Sequence, residues 1–318
     1  MTRPRGSAGR ERCIMGETRR EFIVSATAGV VSALPGAGMA AEDSISKWQR
    51  ETDAVSPETY GSYMRDGDTR GFAALENLEA AFEKVSKEAV NAVVKDVPAV
   101  WSVYNMGYVV KTRESLFAID LVHRRDFELA PMFDFTLITH NHNDHWRPEL
   151  YRAMNGSRKT VISNFLDNYG TADWRKSGRW FENGGYVRGV RQFRIRDVEI
   201  RTSLIDHNEY LIDFTTAFEI RVGNWTMYHT GDSGRGTEPK LGTVWGRPDL
   251  WLFFPGCGID AAAAAGRVRP KKCVFGHMWE LSHATGRFTE PLIRKQLVSV
   301  REAGCNDVSL AYWGDRIS

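Results

Sequence analysis

The chain has 318 residues, of which 42% are hydrophobic and 26% charged, and its formal net charge is +2. A chain of this length and composition can bury a core large enough to fold without a disulfide or a structural metal. The small net charge excludes a polycation that binds nucleic acid by charge alone. Four cysteines without a C-x-x-C pair exclude a zinc ribbon and a dense disulfide framework.

The first 40 residues predict an export signal. Residues 18–24 read TRREFIV, and the small, apolar run SATAGVVSALPGAGMA follows them. Paired arginines before a short apolar run are typical of a twin-arginine signal. A membrane anchor is the alternative, but the run contains glycines and a proline and is shorter than the roughly 20 residues that a spanning helix needs. We therefore expect cleavage after Ala40 and a periplasmic or secreted protein with no membrane attachment afterwards.

Residues 41–98 are predicted to form an N-terminal lead-in with one amphipathic helix. Residues 41–69 are polar with scattered glycines, and we expect irregular chain there. From Phe72 to Val93, apolar residues recur every three or four positions. This spacing predicts an amphipathic helix that packs on the body of the domain.

From residue 99 to residue 318 the pattern changes to short β-rich segments that alternate with helical or loop segments. The β-rich segments are WSVYNMGYVVKT, SLFAIDLV, FDFTLITH, RQFRIRD, VEIRTSLIDH, FEIRVGNWTMYHTGD, PDLWLFFPG and KKCVFGH, and a last helix is predicted near EPLIRKQLVSVREAG. This order predicts one layered α/β domain over residues 99–318, with sheets covered by helices.

Four potential metal ligands follow the apolar strand FTLI within six positions: His140, His142, Asp144 and His145. A loop leaving a strand could turn them toward one point, whereas residues two apart on a helix point away from each other. Imidazole nitrogen and carboxylate oxygen suit zinc, iron or manganese, and two ions rather than one would use all four groups. Accidental histidines in a polar loop are a poor alternative, because the whole chain has only 8 histidines.

This loop resembles the His-x-His-x-Asp-His motif of the metallo-β-lactamase superfamily, and the resemblance continues in order along the chain. Asp120 matches the acidic residue that braces the metal loop in that family. The resemblance implies a four-layer αβ/βα sandwich and two divalent metal ions, with zinc expected first and manganese or iron as alternatives. It assigns His140, His142 and His207 to one ion, Asp144, His145 and His277 to the other, and Asp232 to both.

The resemblance implies a hydrolase similar to the lactonase and phosphodiesterase branch. Two such ions would share a water and supply a bridging hydroxide that attacks a carbonyl or a phosphorus. Asp144 is then both a ligand and a proton acceptor, and His283 is a candidate general acid for the leaving group, with a surface histidine as the alternative. Cys257 follows a strand whose end should face the metals, but an inert buried thiol would explain it as well.

The charge pattern suggests an anionic small-molecule substrate. Residues 147–196 hold eleven lysines or arginines against four acidic residues. Such an excess beside the cleft would attract an anion such as a phosphodiester or an acidic lactone, although charge runs often form only a solvated face. No repeated base-reading motif supports nucleic-acid binding.

Other functions stay open at this point. One is an iron-dependent redox enzyme on the same fold, although family branches with a di-iron redox centre commonly have a glutamate where His142 stands. A β-lactam or amide hydrolase is another. A degenerate scaffold that binds without turnover is disfavoured by the complete set of seven ligands.

Overall fold

The protein is described by a computed structural model over residues 38–164, 190–283 and 288–318. The helices in these ranges are α1 (Gly38–Asp53), α2 (Pro57–Asp66), α3 (Ala73–Asn91), α4 (Pro148–Gly156), α5 (Ala261–Val268) and α6 (Glu290–Glu302). The strands are β1 (Ala99–Ser102), β2 (Tyr108–Lys111), β3 (Leu116–Ile119), β4 (Phe135–Leu137), β5 (Thr160–Ile162), β6 (Arg191–Ile195), β7 (Val198–Ile205), β8 (Thr215–Val222), β9 (Trp225–Asp232), β10 (Leu250–Phe254), β11 (Lys272–Phe275) and β12 (Asp307–Leu310).

The strands form two mixed sheets. The first has the order β1-β2-β3-β4-β5, with β1, β2 and β3 antiparallel and β4 and β5 added in parallel. The second has the order β12-β11-β10-β9-β8-β7-β6, with β9 to β12 parallel and β6 to β9 antiparallel to their neighbours. In both sheets the parallel strands bring several carboxyl ends to one edge.

The central strands are buried on both faces. Every residue of β3 and of β10 is buried, although successive side chains on a strand point to opposite faces. A sheet buried on both sides needs a covering layer on each. Helices α3 and α4 pack on the first sheet and α6 packs on the second, and Tyr108 of β2 contacts His229 of β9 between the two sheets. The four-layer αβ/βα arrangement predicted from the sequence is therefore confirmed.

The prediction of irregular chain over residues 41–69 is wrong, because α1 and α2 occupy most of it. The start of α2 is marked by Ser56, whose hydroxyl accepts from the backbone N–H of Thr59 at 3.1 Å, and by Pro57 in the first turn. Its end is marked by Gly67, which takes the left-handed conformation with φ 76°. Both helices bury apolar side chains despite their polar composition.

The predicted amphipathic helix is confirmed as α3, and its buried face packs on β1 and β2. Val93 lies beyond its end and is 89% exposed. The indole N–H of Trp101 in β1 donates to Glu88 of α3 at 2.8 Å. At the other end of the lead-in, Trp48 of α1 packs edge-on against Trp313. The lead-in thus shares the hydrophobic core of residues 99–318.

The predicted export signal lies almost wholly outside the described residues. The helix α1 begins at Gly38, just before the predicted cleavage point after Ala40. Within the part of the chain that the structure describes, no helix is both long and apolar enough to cross a membrane.

Candidate metal centre

The site lies where the carboxyl ends of strands from both sheets meet. In the first sheet Asp120 follows β3 and the loop with His140 follows β4. In the second sheet His207 follows β7, Asp232 ends β9 and His277 follows β11. Because these strand ends face a common edge, residues distant in sequence become neighbours, as in other open α/β sheets.

Asp120 fixes the start of the metal loop. Its carboxylate accepts from the backbone N–H of Thr139 at 2.7 Å and from the Thr139 hydroxyl at 2.6 Å. The same carboxylate accepts from Nδ1 of His145 at 2.8 Å. One buried acidic side chain therefore holds both ends of the loop.

These hydrogen bonds determine which ring nitrogens of two histidines are free. The single proton of the Thr139 hydroxyl goes to Asp120, so this oxygen accepts from Nδ1 of His140 at 3.0 Å. Nδ1 of His145 likewise donates to Asp120. Both histidines therefore present Nε2 to the site, and both Nε2 atoms are buried without a hydrogen-bond partner. A histidine whose second nitrogen is held in this way is oriented for metal binding.

Asp144 lies opposite this pair and contacts the second sheet. Its Oδ2 accepts from Nε2 of His277 at 2.8 Å and from the side-chain amide of Asn105 at 3.2 Å. Its other oxygen, Oδ1, is buried with no partner. The backbone N–H of His277 donates to the Asn105 carbonyl at 3.2 Å, so Asn105 positions both members of the pair.

Asp232 lies between the two halves of the site. Its Oδ1 is 3.2 Å from Nε2 of His145, and its Oδ2 is 3.5 Å from Nε2 of His207 and 3.6 Å from Nε2 of His277. The pairing of β9 with β10 shifts register just before this residue, and such bulges are common beside active sites. Gly234 allows the chain to continue, because a Cβ there would lie 1.9 Å from the carbonyl oxygen of His207.

The structure brings all seven predicted ligands together. Three sets have ligand atoms within 4.8 Å of one another: His140, His142 and His207; His140, His145 and Asp232; and Asp144, His145 and His277. The buried atoms without hydrogen-bond partners include Nε2 of His140, His145 and His207 and Oδ1 of Asp144 and Asp232. Unpaired buried polar atoms are costly, and these five are all of the kind that binds divalent cations. The side chains thus fit a pair of metal ions.

Strained backbone accompanies the site. Asn105, Asp120, Cys257 and His277 have φ values of 50°, 45°, 50° and 65°, in the left-handed region that residues other than glycine rarely adopt. Each such residue costs on the order of 1–3 kcal/mol and persists only where the surrounding structure holds it. Their clustering here indicates that the backbone is fixed for side-chain placement.

The buried carboxylates of the site favour positive charge on some of its histidines. Burial lowers the pKa of His142 to about 4 and lowers that of His140 as well. Burial opposes protonation of His277 too, but the carboxylates of Asp232 and Asp144 outweigh it and raise its pKa to about 9. The same carboxylates overcome burial at His145 and raise its pKa. Without metal, protons on His145 and His277 therefore neutralise negative carboxylate charge that bound metal ions would neutralise instead.

The candidate general acid His283 lies at the open side of the centre. Its side chain is 51% exposed, and its Nδ1 is 3.3 Å from the carboxylate of Glu280. Ligand atoms of Asp144, Glu280 and His283 lie within 4.8 Å of one another. Glu280 is buried, and sequence reasoning missed it. The hydroxyl of Tyr104 donates to it at 3.3 Å and accepts from the N–H of Leu281 at 2.9 Å.

Two further histidines have structural contacts. His123 is fully buried and stacks on Phe82 of α3 at 3.9 Å between ring centroids. His229 lies behind the site, where Nε2 donates to the carbonyl of Met106 at 3.0 Å and Nδ1 accepts from the N–H of Gly231 at 3.2 Å. Half of the predicted basic segment, residues 165–189, lies outside the described residues.

A comparison with models of protein families finds no match. Solved structures share the fold. Igni18, a metallo hydrolase from the archaeon Ignicoccus hospitalis, is 18% identical, with 69% of this chain and 97% of that chain covered at a TM-score of 0.52. CmlA, a diiron β-hydroxylase from Streptomyces venezuelae, is 15% identical, and the match covers 69% of this chain and 54% of CmlA at a TM-score of 0.51. This chain therefore matches only about half of CmlA.

An isothiocyanate hydrolase from Delia radicum gut bacteria is 14% identical, with 70% of this chain and 99% of that chain covered at a TM-score of 0.50. Identities this low establish the fold alone. The chain therefore has the metallo-β-lactamase fold, and its chemistry has to be argued from its own residues.

Proposed function

We propose that the protein is an exported, binuclear metal-dependent hydrolase. The observation that carries the proposal is the convergence of buried imidazole and carboxylate atoms that have no hydrogen-bond partner at the shared strand edge. When bound, two divalent ions acidify water and polarise the oxygen of a carbonyl or phosphoryl group. The solved structures with this fold include proteins described as a metallo hydrolase and an isothiocyanate hydrolase, which supports hydrolysis as the reaction class.

The side chains around the centre have distinct tasks in this proposal. Asp144 has one oxygen held by His277 and Asn105, which leaves Oδ1 free to hold a cation or accept a proton from water. His283 is hydrogen-bonded to Glu280, which raises its pKa and favours the protonated form near neutral pH. A protonated, half-exposed imidazole suits proton donation to a leaving group.

We propose an anionic ester as the substrate, with a phosphodiester ahead of a lactone. The reason is the excess of basic over acidic residues between positions 147 and 196, since positive charge beside a cleft speeds the encounter with anions. Among the described residues, Arg235 lies beside the centre, where its backbone N–H donates to the Cys257 carbonyl at 3.0 Å and its guanidinium pairs with Glu209 at 3.2 Å.

The test is hydrolysis of bis(p-nitrophenyl) phosphate and of a lactone panel by protein loaded with zinc or manganese. We expect turnover by the wild type and its loss in Asp144→Asn, which keeps the shape of the side chain but removes its charge. Asp134→Asn is the matched control, because Asp134 lies at the amino end of β4, away from the centre. Full metal occupancy without turnover on any ester, lactone or lactam would contradict the proposal, and stoichiometric iron with charge-transfer bands would favour the redox alternative.

A further inference from the structure

Cys257 lies at the rim of the metal centre in a constrained conformation. It follows β10 with φ 50°, and its carbonyl accepts from the N–H of Arg235 at 3.0 Å. Its side chain is half-buried, whereas the described cysteines Cys273 and Cys305 are buried. A left-handed cysteine held between two strand ends is an unusual way to place a side chain that has only a packing role.

The thiol faces two of the predicted metal ligands. The ligand atoms of His207, Asp232 and Cys257 lie within 4.8 Å of one another. His207 is 7% exposed and Asp232 is 5% exposed, and each has a buried ligand atom without a hydrogen-bond partner, Nε2 and Oδ1 respectively. The unpaired Nε2 of His207, in a residue that is 7% exposed, therefore points to a cation beside the sulfur.

We propose that Cys257 is a thiolate ligand of the metal ion held by His207 and Asp232. The inference rests on the binuclear centre of the proposed function and adds a ligand to it. On binding, the thiol proton leaves to solvent as the sulfur–metal bond forms, so the reaction needs no oxidant or reductant. Without metal, burial and the nearby carboxylates of Asp232 and Asp144 raise the pKa of this thiol and keep it neutral.

A sulfur ligand would make the two ions unequal. The ion shared by His140, His142 and His207 would gain a soft donor, whereas the ion near Asp144 and His277 would keep only nitrogen and oxygen. Thiolate favours zinc, iron and cobalt over magnesium, calcium and manganese. We therefore expect the position beside Cys257 to discriminate more strongly against manganese than the other position does.

Cobalt(II) titration of the metal-free full chain, followed by absorption spectroscopy, tests the inference. A thiolate ligand gives a near-ultraviolet sulfur-to-cobalt charge-transfer band. The visible d–d bands, in contrast, appear for bound cobalt whatever its ligands are. We expect the charge-transfer band in the wild type, its loss in Cys257→Ser with d–d bands retained, and its retention in the control Cys305→Ser, which replaces a buried cysteine outside the centre. Protection of Cys257 from alkylation by zinc in the wild type, measured by peptide mass spectrometry, checks the result without a substitution.

The outcomes separate this inference from the metal centre itself. Visible d–d bands without a charge-transfer band in the wild type would overturn Cys257 as a ligand and leave the binuclear centre standing. A charge-transfer band that persists in Cys257→Ser would also overturn it. Failure of the wild type to bind cobalt at all would overturn both the inference and the proposed function.

Discussion

The Nδ1 atom of His145 donates to Oδ2 of Asp120 at 2.8 Å, and both side chains are fully buried. This bond orients Nε2 of His145 toward Asp232 and sets the ring nitrogen that is available to a cation. Asp120 also holds Thr139, which in turn holds His140. A residue that binds no metal itself thus controls two predicted ligands.

Replacement of Asp120 by asparagine should weaken metal binding. The amide presents a weaker acceptor to His145, and one of its two ends becomes a donor. The contact of Oδ1 with the Thr139 backbone N–H and the contact of Oδ2 with His145 therefore cannot both be kept. Loss of such an outer partner typically lowers metal affinity by about 10–100-fold. Competition with a chromophoric zinc chelator measures the affinity. Asp134→Asn should leave it unchanged, and equal losses in both variants would show a general folding defect instead.

Metal binding should release protons, and affinity should fall as pH falls. The pKa of His277 is raised to about 9 and that of His145 is also raised, so both rings are protonated at neutral pH without metal. A cation must displace these protons, and it does so against a higher proton concentration at lower pH. Calorimetry in buffers with different ionisation enthalpies counts the protons. Binding near pH 7 with no proton release would contradict the protonated state of these two rings in the metal-free protein.

Removal of metal should destabilise the fold. A ligand that binds only the folded state adds about 4 kcal/mol of stability at a thousand-fold excess over its Kd. For a chain of this size, whose entropy of unfolding is about 2.1 cal/mol/K per residue, such a change lowers the melting temperature by roughly 6 °C. Scanning calorimetry with and without a chelator measures the shift. Asp232→Ala lacks the residue between the two halves of the metal centre, so the change in melting temperature caused by the chelator should be smaller in this variant. A change equal to that of the wild type would mean that the stabilising metal binds elsewhere.

Tyr104→Phe should lower turnover while metal content stays the same. Its hydroxyl connects Glu280 to the backbone of Leu281 and so fixes the turn that carries His283. Without it, a buried carboxylate and a buried N–H lose a partner, at a cost of about 1–3 kcal/mol. Tyr108→Phe is the matched control, because the buried Tyr108 hydroxyl has no hydrogen-bond partner. A similar loss of activity in both variants, or loss of metal in Tyr104→Phe, would contradict the role of the turn.

The ligand loop was predictable because its residues are contiguous and follow a readable strand. His207, Asp232 and His277 could be added because the family pattern runs in the same order along the chain. Asn105 and Glu280 could not, since nothing in their local sequence marks them. Asn105 reaches Asp144 only through a left-handed turn after β1, and Glu280 lies in an irregular turn after His277.

The polar composition of residues 41–69 in the lead-in hid the helices that form there. Residues 41–69 are polar overall, yet Ile45, Val55, Tyr60 and Tyr63 are buried. The signals that could have found α2 were the capping Ser56, the following proline and Gly67, and they were outweighed by the polarity of the segment. The three-residue β5 and the four-residue β12 are not among the predicted β-rich segments.

Anomalous X-ray diffraction from crystals grown with zinc tests the binuclear centre most directly. We predict two peaks per chain, roughly 3.5–4 Å apart as in other two-metal sites. One should lie beside His140, His142 and His207, the other beside Asp144, His145 and His277, with Asp232 between them. The absence of zinc from this position at saturating metal, or a single ion bound away from Asp232, would contradict it.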